Sequence, residues 1–292
     1  MAQREAYAHA TRIAENLLDQ EGITELPVNP IAIAESRDIT VQPMSVSGKA
    51  FSGMLIKVGD VFGIGYATHI DNEGFKRFSI GHELGHYFLD GHCDYLFPEM
   101  EGRHESQAGF HSGNKHEMEA DNFSAGLLMP RRLFKKAIDG QRAMGLQAVQ
   151  RLADLCLTSL TATAIQYAKC APDQVAIVLS TGRTVDYCFM SDALKELRGL
   201  EWIKKGAQLP RTTTAAFNQD VGNVATGASK EGICNLQDWF GGPWRAELFE
   251  EVVGLGSYGK TLTVLSTTES LDQEDLDEDE ELEESWVPRF RR

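Results

Sequence analysis

Two histidines four residues apart, His82 and His86, with Glu83 between them, constrain this chain more than any other feature of its 292 residues. Positions i and i+4 of a helix stand one above the other on a single face. Two imidazoles so placed can close on one metal ion, and a carboxylate beside them can take a proton from an attacking water. The string His82-Glu83-Leu84-Gly85-His86 is the zinc-site pattern H-E-x-x-H. It works only on a helix, and its flanks predict one. Phe78, Ile80, Leu84, Phe88 and Leu89 recur at mixed three- and four-residue spacing. Asp71 or Asn72 can cap the start, and Asp90-Gly91 can end the run. Gly81 and Gly85 weaken such a helix slightly, which points to close packing or metal approach there.

A catalytic zinc takes three protein ligands and leaves one position open. Candidates for the third are His92, Cys93, Asp94, His104, His111, His116, Glu117, Glu119 and Asp121. Residues 116–129 read as a second helix, with Met118, Phe123, Leu127 and Leu128 as its apolar stripe and Pro130 as its end. Glu117 and Asp121 share one face of it. Glu117 can ligate while Asp121 hydrogen-bonds the outer nitrogen of a ligating histidine. Glu119 lies about 200 degrees around from Glu117, so the two cannot both face a metal. A solvated acidic face is the plainer reading of Glu117 and Glu119.

The stretch Arg77-Phe78-Ser79-Ile80-Gly81-His82-Glu83-Leu84-Gly85-His86-Tyr87-Phe88-Leu89, followed by Glu117-Met118-Glu119-Ala120-Asp121 and on to Pro130, resembles the gluzincin metallopeptidases and, more closely, the ImmA/IrrE family. Pro30 to Ser36 looks like that family's N-terminal helix, and the resemblance spans about residues 25–170. It implies a zinc-dependent endopeptidase in which His82, His86 and Glu117 hold the metal and Glu83 is the catalytic acid/base. It leaves His104, His111 and His116 as loop residues, although the histidine-rich stretch between the helices could hold a second metal or an alternative ligand. Two nitrogens and one carboxylate favour Zn2+, with Mn2+ or Fe2+ as substitutes. Tyr87, Tyr167 and nearby histidines are the candidates for stabilising an oxyanion.

The length allows about two domains. No stretch reaches the roughly 18 apolar residues of a membrane span, and Met1 to Gln20 is polar and amphipathic, without a signal-peptide core. Cys93, Cys156, Cys170, Cys188 and Cys234 are odd in number and form no C-x-x-C pair. Reduced thiols and a cytoplasmic location are therefore expected. Residues 269–284 contribute eleven acids and no base to a net charge of −15, which leaves the body at about −4. The run reads as a solvated acidic tail, ending in the aromatic and basic Trp286 to Arg292.

Residues 3–18 read as a first helix, and Asn29-Pro30 starts another. A strand begins at Ile39–Val41. Phe51–Val58 and Val61–Tyr66 form a hairpin through Gly59-Asp60 whose exposed edge could take a peptide as an added strand. Helices are expected over 130–138, 144–155 and 159–169, and the last two have helix-turn-helix proportions. DNA binding is disfavoured, because the would-be reading helix Leu160 to Ala168 carries no charge and phosphate contacts need Lys or Arg. Where the ImmA/IrrE helix has an arginine, this chain has Gln166-Tyr167. Val175–Ser180, Thr184–Phe189 and Lys260–Leu265 read as strands of a second domain.

The expected fold is α+β: a zincin-like core with a small sheet and the H-E-x-x-H helix at 1–129, a helical segment at 130–170, a β-containing module at 171–268 and a disordered acidic tail at 269–292. The resemblance implies a protein substrate, namely a separate helix-turn-helix repressor whose cleavage derepresses stress-response or mobile-element genes. No membrane partner is expected, and the chain starts directly with peptidase sequence, without a DNA-binding domain before it. The alternatives are a DNA-binding or ligand-sensing regulator with a structural metal and no proteolysis.

Overall fold

The computed structural model describes residues 2–45, 51–69, 72–99, 101–106 and 114–271. Asp71, His111 and the acidic tail beyond Leu271 lie outside them. The protein is a mixed α+β chain of two compact units, one of residues 1–141 and 150–163, the other of residues 142–149 and 164–292.

The first unit opens with helix α1 (Ala2–Gln20), whose Ala10, Ala14, Leu17 and Leu18 are buried at helical spacing. Helix α2 (Pro30–Glu35) starts where expected. The Asn29 side chain accepts from the Ile31 amide at 3.0 Å, and Pro30 needs no partner at the first position. Strands β1 (Thr40–Met44), β2 (Gly53–Val58) and β3 (Val61–Ala67) follow. β2 and β3 form the expected antiparallel hairpin, with Gly59 at φ 58 in its turn.

The hairpin has no free edge, which corrects the expectation of a peptide-accepting one. The sheet order is β1-β3-β2-β4, so β1 and β4 (Gly102–Ser106) flank it. β4 runs Gly-Arg-His-Glu-Ser and pairs antiparallel with β2, placing His104 opposite Leu55. A five-residue polar strand has no apolar alternation to betray it, and such edge strands avoid unwanted pairing.

Helix α3 (Glu73–Phe88) packs on this sheet and on α5 (Lys115–Leu128), with the short α4 (His92–Leu96) between them in sequence. Asn72 caps α3 by accepting from the Phe75 amide at 3.0 Å, and Asn114 caps α5 by accepting from His116. Leu84, Ile80, Phe123 and Leu127 join α1 and the sheet residues Leu55 and Ile64 in one core. Helices α6 (Arg131–Asp139), α7 (Gly145–Cys156) and α8 (Leu160–Cys170) come next. The last two each divide between the units.

The second unit is built on a five-stranded antiparallel sheet of order β6-β5-β9-β8-β7. Its strands are β5 (Val175–Thr181), β6 (Thr184–Met190), β7 (Ser229–Asn235), β8 (Glu247–Gly254) and β9 (Thr261–Thr267). β5 is buried over six consecutive residues, as a central strand should be. Four short helices, α9 (Asp192–Lys195), α10 (Thr213–Phe217), α11 (Val221–Thr226) and α12 (Leu236–Phe240), supply Leu194, Trp239 and Phe240 among others to the packing. Among the described residues no helix is long and apolar enough to cross a membrane.

Candidate metal centre

Helices α3 and α5 meet through residues without bulk. A Cβ on Gly81 would stand 2.5 Å from Ser124 Oγ, and one on Gly85 would stand 3.0 Å from the Ala120 Cα. This approach brings the polar faces of both helices together. His82 and His86 are wholly buried on α3, and Glu117 on α5 faces them. His82 Nε2 lies 3.3 Å from Glu117 Oε2, His86 Nε2 lies 3.3 Å from Glu117 Oε1, and the two Nε2 atoms are 3.1 Å apart. One ligand atom from each of the three sits within 4.8 Å of the others, so they form a possible metal site.

The outer ring nitrogens support that reading. His82 Nδ1 is 2.8 Å from Asp121 Oδ1, where the sequence places a supporting carboxylate. His86 Nδ1 is 3.0 Å from His92 Nδ1. With both Nδ1 atoms engaged elsewhere, both Nε2 atoms are left to point at one place with a carboxylate opposite. Two imidazoles and one carboxylate are a donor set that zinc takes in hydrolytic sites, and the residues therefore fit the ion.

Electrostatics separates the two histidines. Burial works against a charge on His82, but Asp121, Glu117 and Glu83 outweigh it and push its pKa up to about 10. Burial, reinforced by the His82 charge, pushes His86 down to about 4 despite the pull of Glu117. Burial also opposes the charged form of Glu117, but hydrogen bonds from His104, His82 and His86 hold it far below the ordinary carboxylate range.

Glu83 is the outlier. It is fully buried, and neither carboxylate oxygen has a hydrogen-bond partner among the described residues. Burial pushes its pKa up to about 7, against the pull of His82 and of the Ser106 hydroxyl, which comes near but, like the carboxylate, completes no hydrogen bond. An unpaired buried carboxylate is costly, and such groups concentrate where proton transfer is done.

His104 is not a loop residue. It sits on β4 with Nε2 3.1 Å from Glu117 Oε1, and its ring is 5.0 Å from that of His86. Of the candidates for stabilising an oxyanion, it is in direct contact with Glu117. Tyr87 instead packs edge-on against Phe62 and Phe88, at 5.0 Å from each. Tyr167 is a buried residue of the second unit, its hydroxyl pushed up to about 12 by burial. His116 sits in the first turn of α5, stacked on Tyr95. Glu119 points away from Glu117's partners, as its helical position requires, and reaches His92 Nε2 at 3.3 Å. The participation of His92 and His104 could not be read from periodicity. Only the clustering of histidines between the two helices hints at them.

Residues 34–154 match the family model described as the IrrE N-terminal-like domain, a span that contains every residue of this site. A comparison with curated proteins finds no match. Among solved structures, one described as a Mycobacterium tuberculosis transcriptional regulator is similar, with a TM-score of 0.58 at 13% identity, over 91% of this chain and 82% of its own. At that identity the likeness is one of fold.

Proposed function

We propose that this chain, whose residues 34–154 match the IrrE N-terminal-like domain model, consistent with the ImmA/IrrE family, is a zinc-dependent endopeptidase that cleaves a partner protein. The observation that carries the reading is the convergence of His82, His86 and Glu117 within 4.8 Å beside an unpaired, buried Glu83. In this reading residues 1–129 are a zincin-like peptidase core, 130–170 a helical segment, 171–268 a β-containing module and 269–292 an acidic tail.

His82, His86 and Glu117 would hold the zinc, which when bound would supply Lewis acidity toward a scissile carbonyl and lower the pKa of water to about 7. Glu83, buried beside these three residues, would take a proton from the attacking water and deliver it to the leaving amine. Asp121 holds the His82 ring through Nδ1. His104, on the edge strand beside the ligands, donates to the carbonyl oxygen as charge develops on it.

The substrate we propose is a separate repressor of helix-turn-helix type, whose loss derepresses stress-response or mobile-element genes. The test is co-incubation with candidate helix-turn-helix repressors from the same genome, with and without chelator, followed by mass spectrometry. Chelator-sensitive cleavage at one site supports the reading, and an intact repressor with zinc present overturns it.

A second reading rests on the fold shared with a protein described as a transcriptional regulator. Here the metal is structural and the chain regulates without proteolysis. A gel shift with promoter DNA that survives Glu83→Gln, with no cleavage by the wild-type chain, would favour it.

A further inference from the structure

We infer that His92 is a positioning residue, the middle member of a relay that sets the tautomer of His86 from Glu119. The inference rests on the zinc reading above and extends it to residues that no ligand motif includes.

The argument is one of counting hydrogens. If His86 offers Nε2 to an ion, its Nδ1 carries the hydrogen. Nδ1 faces the His92 Nδ1 at 3.0 Å, so the His92 Nδ1 must accept and cannot itself be protonated. A neutral His92 then carries its hydrogen on Nε2. That nitrogen lies 3.3 Å from Glu119 Oε2, an acceptor. Each contact holds one hydrogen, and only this assignment leaves the ligand face of His86 bare. Glu119 keeps Oε2 for this contact while Lys115 approaches Oε1 at 3.5 Å.

The surroundings hold the middle ring in place. His92 is 2% exposed. The His116 ring meets it edge-on with centroids 4.8 Å apart, and Tyr95 stacks on His116 at 4.1 Å. The two ligand histidines are thereby supported differently. The Nδ1 of His82 has a carboxylate in direct contact, whereas the Nδ1 of His86 reaches one through a neutral ring. The short helix α4 starts at His92, four residues past the end of α3, and so brings its ring to His86.

Zinc affinity, measured by competition with a chromophoric chelator, tests the relay without reference to turnover. His92→Leu fills the space but removes both hydrogen bonds, and is expected to weaken zinc roughly 10–100-fold. His92→Gln presents an acceptor and a donor across one amide and is expected to restore most of that loss. Glu119→Ala is expected to keep one zinc but bind it more weakly, and the double variant His92→Leu/Glu119→Ala to be no weaker than His92→Leu, because the two act in series. Full affinity in His92→Leu, or equal losses in the Leu and Gln variants, would overturn the relay while leaving the metal site standing. A wild-type chain that binds no zinc would overturn the metal reading and the relay with it. Should His92→Leu fail to fold, Glu119→Ala and His92→Gln decide the matter, since unchanged affinity in Glu119→Ala contradicts the relay.

Discussion

Gly53 on β2 faces Glu83 on α3 so closely that a Cβ at position 53 would stand 2.5 Å from Glu83 Oε1. The missing side chain is what gives the carboxylate its place against the sheet. Gly53→Ala is therefore expected to turn Glu83 away from its position while sparing the ligands. Cleavage should fall at least tenfold through kcat, with zinc stoichiometry unchanged. Wild-type turnover in this variant would show that Glu83 acts from elsewhere or not at all.

Glu83→Gln is expected to keep zinc, lose turnover by about 10²–10⁴-fold and gain stability. The carboxyl has a folded-state pKa of about 7 against an ordinary 4.5. The folded chain thus binds this proton more tightly than the unfolded one. The corresponding stability is present below about pH 4.5 and is lost as pH rises toward 7. A glutamine has no such loss. In metal-free protein the melting advantage of the variant should be small at pH 5 and should grow to the order of 2–3 kcal/mol at pH 8. A pH-independent difference would contradict the assigned burial and ionisation.

His82, with a pKa of about 10, keeps a proton at neutral pH in the absence of metal. An ion taking Nε2 must displace it, so binding releases about one proton at pH 7 and affinity falls about tenfold per unit as pH drops below 9. Calorimetry in two buffers of different ionisation enthalpy measures this directly. Asp121→Asn should reduce both the proton release and the affinity, because it removes the group that raises His82 most. Binding with no proton exchange would contradict the picture.

Gly85 tests the helix contact. A Cβ there would lie 3.0 Å from Ala120 Cα and 3.1 Å from its carbonyl oxygen, both backbone atoms. Alanine gains about 1 kcal/mol of helix propensity over glycine, but the crowding costs about 1–3 kcal/mol. Gly85→Ala is expected to melt lower than wild type and to bind zinc more weakly, because separating α3 from α5 carries Glu117 away from the histidines. Unchanged melting and affinity would show that the spacing of these helices does not govern the site.

The legible parts of this protein are those with a period or a punctuating residue. The i, i+4 spacing of His82 and His86 and the caps Asn29 and Asn72 place α2 and α3. The β2–β3 hairpin follows from its Gly59-Asp60 turn, and β5 from its apolar run. What escaped has neither. β4 is polar throughout, so His104 passed for a loop residue. α4 is five residues long, too short to show periodicity, so His92 had no face to be assigned to. In the second unit the helices α9 to α12 have four to six residues each. β8 carries Glu250 inside the sheet, wholly buried and accepting from Thr212 and Thr214. A carboxylate satisfied by residues nearly forty positions away leaves no local trace.

The most direct measurement is anomalous scattering at the zinc absorption edge from crystals of the zinc-loaded chain. One peak is predicted, about 2.0–2.2 Å from His82 Nε2, His86 Nε2 and a Glu117 oxygen, with its fourth position open to solvent. A peak elsewhere, or one whose fourth position is filled by His104 Nε2, would contradict a hydrolytic zinc site.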